Sequence, residues 1–404
     1  MALNLKKIFE KSIPAAYKAA VSSAAETAEQ NNIKMYLIGG AARDMLLNLP
    51  VKDIDIMIEG SAPEFARLLE KEGVCRIISV NENLRTVKAE FPSGAVIDFA
   101  SSREEYYKSA GSMPIAQNFG CEIENDVKRR DFTINTLAVS LTGGLEYELI
   151  DFFGGYEDIQ NKKIRILHEK SFIDDPSRIV RALKFQMRLG FEIEEKTLKL
   201  MLDYLNAPDR NIPLERIKNE LKDYFSLPQK GLYENLIKYK AYKLLTDTPF
   251  FDFKQTAFDE IKKYCPVERI WFLYAALLLK DTDIENPHLN LTGLEKKTLK
   301  ESRELINQGA LNINDKFEIY SAFIDKTELS PLIYYTVSQD RAVLKFYEAL
   351  KDVKLLITGR DLIDLGFTPS PYFSEIFEKV LKEKLEGRLK TKEDEIKSAG
   401  RFLK

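Results

Sequence analysis

Two aspartates separated by one isoleucine, inside an apolar run that must become a strand, constrain this chain more than any other feature. In "DIDIMI" (53–58) side chains alternate between the faces of an extended strand, so Asp53 and Asp55 point one way while Ile54 and Ile56 enter a core. Adjacent carboxylates repel, and a fold keeps them together mainly where a cation offsets the charge. Hard divalent ions such as Mg²⁺ take carboxylate oxygens and phosphate oxygens alike, so the pair points to phosphoryl chemistry. A site for two such ions calls for a further acid from a neighbouring strand, and "AVIDFAS" (95–101) offers Asp98 between Ile97 and Phe99. Taken alone, the pair also fits an exposed acidic strand.

The residues just upstream favour the first reading. "LIGGAARD" (37–44) runs from an apolar strand into a helix through Gly39 and Gly40. Glycines let the backbone approach a ligand, and the free N–H groups of a helix start attract phosphate. Arg43, in the first turn, can add a charge-assisted bond, with Asp44 beside it. Together these residues describe a triphosphate cradle next to a metal pair. The plainer alternative is a tight turn followed by an Arg43–Asp44 ion pair.

Composition removes competing chemistries. The 404 residues are 45% hydrophobic and 30% charged, enough for two or more domains with real cores. A net charge of −3 means that any nucleic-acid contact must come from a local basic face. Cys75, Cys121 and Cys265 form neither a C-x-x-C motif nor an even set, which argues against zinc knuckles and disulfides and for a reducing compartment. The two histidines, His168 and His288, are too few for a histidine-rich metal centre and read as structural. The opening 30 residues read as an amphipathic helix without an export signal. "IWFLYAALLL" (270–279) is too short to span a membrane and reads as a buried helix, so the chain is expected in the cytoplasm.

Strand-like runs ("KMYLIGG", "DIDIMIEG", "RTVKAEF", "AVIDFAS", "YELIDFF") mix with helical ones up to about residue 165; beyond Glu169 the helical period takes over. "SAPEFARLLEKEG" is a helix opened by Ser61 and closed by Gly73. Turn-rich breaks at 227–231, 280–290 and 366–373 divide the helical part, and the charge-dense end reads as a solvated helix face or a nucleic-acid arm.

Gly-Gly, a twelve-residue gap, Asp-x-Asp and a later apolar-Asp-apolar strand resemble the DNA polymerase β-like nucleotidyltransferase superfamily. With "RRDFTINTLA" (129–138) and "DFFGGYEDI" (151–159), the chain is similar to its class II tRNA nucleotidyltransferase and bacterial poly(A) polymerase branch over about residues 33–225. "LITGRDLIDLGFTPSP" resembles a tail segment of CCA-adding enzymes. The resemblance implies an α+β nucleotidyltransferase head, a small mixed sheet with helices, followed by an all-α neck, body and tail. The corresponding divisions are an N-terminal helix (1–32), head (33–165), neck (166–226), body (227–345) and tail (346–404), the tail contacting tRNA.

It also implies roles. Arg130, Asp131 and Asn135 would bind the nucleotide and sense its ribose if their segment opens a helix; the alternative is a helix start capped by Asp131, with Thr133 alongside. Asp151 and Asp158 would support a head–neck turn, and Glu215 and Arg216 would brace the neck. In "DDPSRIVRALKF" (174–185), Asp175, Arg178 and Arg181 fall three apart along one helix side. CTP and ATP share an amine donor beside a ring-nitrogen acceptor, which a carboxylate (Asp175) and a guanidinium (Arg178) complement; Arg181 and Lys184 would line the phosphate side. A solvated i, i+3 ion pair is the alternative. Two departures stand out: Asp174 where the family has Glu, one methylene short for orienting Arg178, and Lys184 where it has Arg. The polar stretch 99–128 reads as a mobile loop, whose full length leans toward addition of A.

The expected activity is template-independent extension of a tRNA 3′ end with CCA from CTP and ATP, using two Mg²⁺ ions held by Asp53 and Asp55 with help from Asp98. Addition of A alone to tRNA ending in CC, poly(A) synthesis, and a non-catalytic RNA-binding role are the alternatives. No membrane partner is expected, and oligomeric state is not legible.

Overall fold

The computed structural model describes residues 3–51, 53–247, 255–285, 289–311 and 313–403, so His288 and part of the 280–290 break lie outside it. The chain divides into two compact units, Met1–Glu220 with Lys238–Ala241, and Leu221–Ile237 with Tyr242–Lys404. The first carries the sheet. The second is helical, which matches the α+β head and all-α remainder expected from the sequence.

The opening residues form two helices, α1 (Lys6–Ser12) and α2 (Ala15–Gln30), broken at Pro14. The sheet strands are β1 (Lys34–Ile38), β2 (Asp55–Glu59), β3 (Arg76–Asn81), β4 (Thr86–Glu90) and β5 (Val96–Ser101). After a separate hairpin, β6 (Glu104–Tyr107) and β7 (Pro114–Gln117), the sheet is completed by β8 (Ala138–Ser140) and β9 (Leu149–Ile150). Among the described residues it has seven strands in the order β3-β4-β5-β2-β1-β8-β9. All neighbours are antiparallel except β2 and β5, which run parallel with Asp55 opposite Asp98 and Ile56 opposite Phe99.

That register sorts the two faces. Ile54, Ile56, Ile58, Ile97 and Phe99 are buried on one side, where helix α4 (Ala62–Lys71) sets Phe65 edge-on against Phe99, ring centroids 5.7 Å apart. Ser61 caps this helix, its hydroxyl accepting from Glu64 N–H, and Gly73 follows in the left-handed region, as the sequence predicts. Removing the Phe99 ring would cost about 3–5 kcal/mol. On the other side Tyr36, Ile38, Met57 and Ala138 pack with Ile123 and Val127 of α5 (Ile123–Lys128). Because α5 covers Met57, two residues further along β2, Asp55 stays uncovered at the strand start.

Two segments differ from their sequence reading. The stretch read as a loop contains the β6–β7 hairpin and α5; its tip at Gly111 donates N–H to Ile173 O at 3.1 Å. An alanine Cβ at Gly111 would come within 2.7 Å of Asn211 O. "RRDFTINTLA" opens no α-helix: a single 3₁₀ turn over Thr133–Asn135 leads into β8, the apolar residues being taken into the sheet. The turn over 151–159 becomes α6 (Gly155–Gln160), its start held by Asp151, which accepts from the N–H groups of Gly155 and Tyr156 at 2.9 Å each.

The rest of the first unit consists of β10 (Lys163–Ile164) paired with β11 (Glu192–Ile193), and helices α7 (Ser171–Asp174), α8 (Ser177–Leu189), α9 (Glu195–Asn206) and the start of α10 (Leu214–Phe225). In the second unit, Ile270–Leu278 is a wholly buried helix whose Tyr274 stacks on Phe225 and Phe258, and the terminal helices close on Ile357, Leu362, Ile376 and Val380. Among the described residues no helix is long and apolar enough to cross a membrane, and all three cysteines are free.

Candidate active site

The acids stand on two central strands of the sheet, at the edge where β2 begins. Asp53 and Asp55 are exposed while Ile54 and Ile56 are buried, the alternation read in the sequence, although the strand proper begins only at Asp55. Asp98, half-exposed, faces Asp55 across the parallel pair, and Lys88 from β4 lies 3.4 Å from its carboxylate. Although Asp55 as a whole keeps surface in water, its carboxyl is hemmed in by protein and sits above the ordinary carboxylate range: lost hydration is the main cause, Asp98 and Asp53 add to it, and Arg130 and Lys88 oppose it. Among the described residues, no group of three or more His, Cys, Asp or Glu side chains forms a ready metal cage. The oxygens available are hard donors on one strand face, which suits a small divalent ion completing its shell from a phosphate.

The glycine corner is tight. Gly39 has φ +62°, and a Cβ there would lie 2.7 Å from Arg130 Nη1. Gly40 opens α3 (Gly40–Leu46) without such crowding. Arg43 turns inward and is buried. Its Nε donates to Asp44 at 2.8 Å, its Nη1 donates to Asn135 Oδ1 at 2.5 Å, and its guanidinium lies over the Phe185 ring. Asp44, in turn, accepts from Arg188 at 2.7 Å.

Arg130 pairs with Asp126 at 3.2 Å, and its buried Nε has no hydrogen-bond partner. Asp131 is the hub of the next layer. One oxygen accepts from Phe132 N–H and Asn135 Nδ2, each at 2.8 Å, and the other from Arg181 Nε at 2.7 Å. Burial raises the Asp131 pKa, but Arg181 and Asn135 more than offset this and hold it below the usual range. Arg181 also reaches Glu220 at 3.0 Å, and Lys184 shares that carboxylate at 2.8 Å. Burial alone would lower the Arg181 pKa; Asp131 and Glu220 raise it instead.

At the start of α8, Asp175 is buried. Its Oδ1 accepts from Ser177 N–H at 3.0 Å and Oγ at 2.5 Å, while Oδ2 pairs with Arg216. The Arg178 Nε is 4.0 Å from Asp175, too long for a hydrogen bond.

A cavity of about 650 Å³ gathers these groups. Its lining includes Gly39, Gly40, Arg43, Arg130, Asp131, Asn135, Asp175, Arg178, Arg181 and Lys184, but not Asp44 or the acids at 53, 55 and 98. Cationic side chains outnumber acidic ones there, which suits a polyanion. The sequence reading missed Glu105, Tyr107, Arg129 and Glu220, and placed Arg216 only in the scaffold; all five line the cavity. Their only signal was residue type, because long-range folding brings them in. His168 lies outside it, 4.0 Å from Asp174, with a pKa lowered by burial and by Arg178.

A mixed sheet with in-register acids beside a cation-lined cleft suits nucleotidyl transfer. Residues 35–165 match the family model for the poly(A) polymerase head domain. The chain is 30% identical over 93% of its length to an A-adding tRNA nucleotidyltransferase of Geobacter sulfurreducens, though it spans about half (46%) of that relative. It is 28% identical to the A-adding tRNA nucleotidyltransferase of Halalkalibacterium halodurans, covering 94% of the chain and 91% of the relative. A CCA-adding enzyme of Staphylococcus saprophyticus is 27% identical, covering 88% and 91%. Among solved structures, an apo CCA-adding enzyme superposes with a TM-score of 0.81 at 25% identity, covering 98% of each chain. A CCA-adding enzyme complexed with ATP gives 0.76 at 25% identity, covering 98% of this chain and 95% of that one. Over residues 35–165 the chain is thus similar to poly(A) polymerase heads, and over nearly its whole length to A-adding and CCA-adding enzymes, a class of nucleotidyltransferase that generally uses a divalent metal.

Proposed function

We propose that this protein adds CCA to the 3′ end of tRNA from CTP and ATP, without a nucleic-acid template. The observation that carries the reading is a cavity that joins the glycine corner, the Arg130–Asn135 segment and the side chains of Asp175 and Arg178 at the start of α8. The triphosphate would lie against Gly39, Gly40 and the cations Arg130, Arg181 and Lys184, with Arg43 and Asp44 bracing the corner through Asn135 and Arg188. Asp131 and Asn135 would meet the ribose. Asp175 would accept from the exocyclic amine, while Arg178 donates to the ring nitrogen. This pair disfavours UTP and GTP, whose edges place a carbonyl beside an N–H.

Asp53 and Asp55 would hold two Mg²⁺ ions, with Asp98 assisting. When bound, such ions lower the pKa of the 3′-hydroxyl and offset charge on the leaving pyrophosphate. The chain's own residues orient the triphosphate for in-line attack and neutralise it. The helical segments 227–345 and 346–404 are assigned to holding the tRNA, and the cytoplasm to its location.

A second reading, addition of A alone to tRNA ending in CC, is favoured by the A-adding relatives from Geobacter and Halalkalibacterium. The two separate when tRNA lacking CCA, tRNA ending in CC and an unrelated oligonucleotide are each incubated with labelled CTP or ATP. C incorporation into the first supports the CCA reading. ATP incorporation confined to the second transfers the assignment to A addition. Extension of the unrelated oligonucleotide marks a poly(A) polymerase, and no incorporation anywhere a non-catalytic binder.

A further inference from the structure

The base-selecting role given to Arg178 depends on a guanidinium held still, yet among the described residues no carboxylate lies within hydrogen-bond distance of it. Asp174, the residue one methylene short for that task, is instead 4.0 Å from His168. Asp175, also 4.0 Å from Arg178, is committed to Ser177 and Arg216. Three neutral acceptors take the guanidinium in their place. Nη1 donates to Ser171 Oγ at 2.6 Å, and Nη2 to the Arg129 carbonyl at 3.1 Å and the Tyr107 hydroxyl at 3.4 Å. Ser171 gives the shortest of the three bonds and is itself wholly buried at the start of α7.

We infer that Ser171 is the positioning residue for nucleotide selection, fixing Arg178 in the orientation that reads the base edge. The inference rests on the reading of Asp175 and Arg178 given above. Its physical logic is one of donor counting. A guanidinium has five N–H groups; the three bonds occupy one on Nη1 and both on Nη2, leaving Nε–H and the second Nη1–H for a base. A carboxylate at the same place would take two parallel N–H groups and neutralise the charge. A hydroxyl takes only one. Ser171 therefore fixes the plane of the fork and leaves its charge and two donors for the ligand.

The test compares kcat/KM for CTP, ATP and UTP on a tRNA acceptor in the intact enzyme and in S171A, S171T, D174A and R178A. Expected for S171A is an approximately tenfold fall in the CTP-to-UTP ratio, the size of one well-placed hydrogen bond. That fall should appear mainly as a raised KM for CTP, with kcat largely kept. S171T, which restores the hydroxyl, should recover the ratio, and D174A should leave it unchanged. Should S171A melt early, S171C keeps the volume with a poor acceptor and carries the same expectation. If R178A collapses the ratio while S171A and S171C preserve it, Ser171 has no positioning role. If D174A, and not S171A, lowers the ratio, the role passes to Asp174. If R178A itself leaves the ratio intact, the selection reading falls first and this inference with it.

Discussion

The strand edge bearing Asp53, Asp55 and Asp98 and the wall formed by Asp131, Arg178 and Arg181 belong to the same unit but are built on opposite terms. At the edge the acids are exposed or half-exposed, and Asp98 has a single lysine nearby. In the wall every charge is held by two or more partners and largely removed from water. An edge left electrostatically unsatisfied accommodates an incoming cation, whereas a wall satisfied in advance presents fixed donors and acceptors at little reorganisation cost. The contrast separates a place that waits for charge from one that already has its shape.

The largest effect expected is on the edge. Asp53→Ala or Asp55→Ala should lower nucleotide incorporation by about a thousandfold or more while leaving circular dichroism unchanged. Retained turnover would erase the distinction between the regions. Asp55→Asn adds a sharper form. Because the Asp55 carboxyl lies above its ordinary range, its ionised form destabilises the metal-free fold at neutral pH, so this inactive variant should melt slightly higher than the native protein.

The wall should respond in the opposite sense. Asp131→Asn removes a buried partner of Arg181 and should cost about 3 kcal/mol in denaturant unfolding, the lower end for a buried pair because Arg181 keeps a third of its surface. The same residues set the acid limit. Asp126 and Asp131 have folded pKa values below the ordinary aspartate value of 3.8: burial raises each, and their arginine partners more than reverse it. Their stabilisation is complete above that value and is lost as pH falls through the depressed ones. A pH titration of stability should therefore show a loss below about pH 4 that is smaller in Asp131→Asn. The smallest effect belongs to Lys88→Ala. Its exposed cross-strand pair with Asp98 should contribute no more than about 0.5 kcal/mol.

Legibility in the sequence followed the range of the interactions. The acids of β2 and β5, the helix between Ser61 and Gly73 and the α8 side were all readable, because strand alternation, capping and helical spacing are local rules. What escaped was set by distant partners. The β6–β7 hairpin looked like a loop because its polar residues show no alternation, yet its tip is fixed by Ile173 and Asn211. Residues 129–138 carried a helical spacing, and Asn135 does meet Asp131, but the turn is 3₁₀ and ends in a strand. Glu220 and Arg216 sit on a helix whose charge pattern reads as solvated; only the tertiary fold places them against Arg181 and Asp175.

The crowding at Gly39 fixes how this chain can drift over evolutionary time. With a positive φ and the Arg130 guanidinium where a methyl would go, any other residue there is strained and must displace that arginine, while its neighbour Gly40 has room for alanine. A glycine pair that looks redundant on paper is thus one demanding position and one tolerant position, and only the first sets the turn against the arginine beside it.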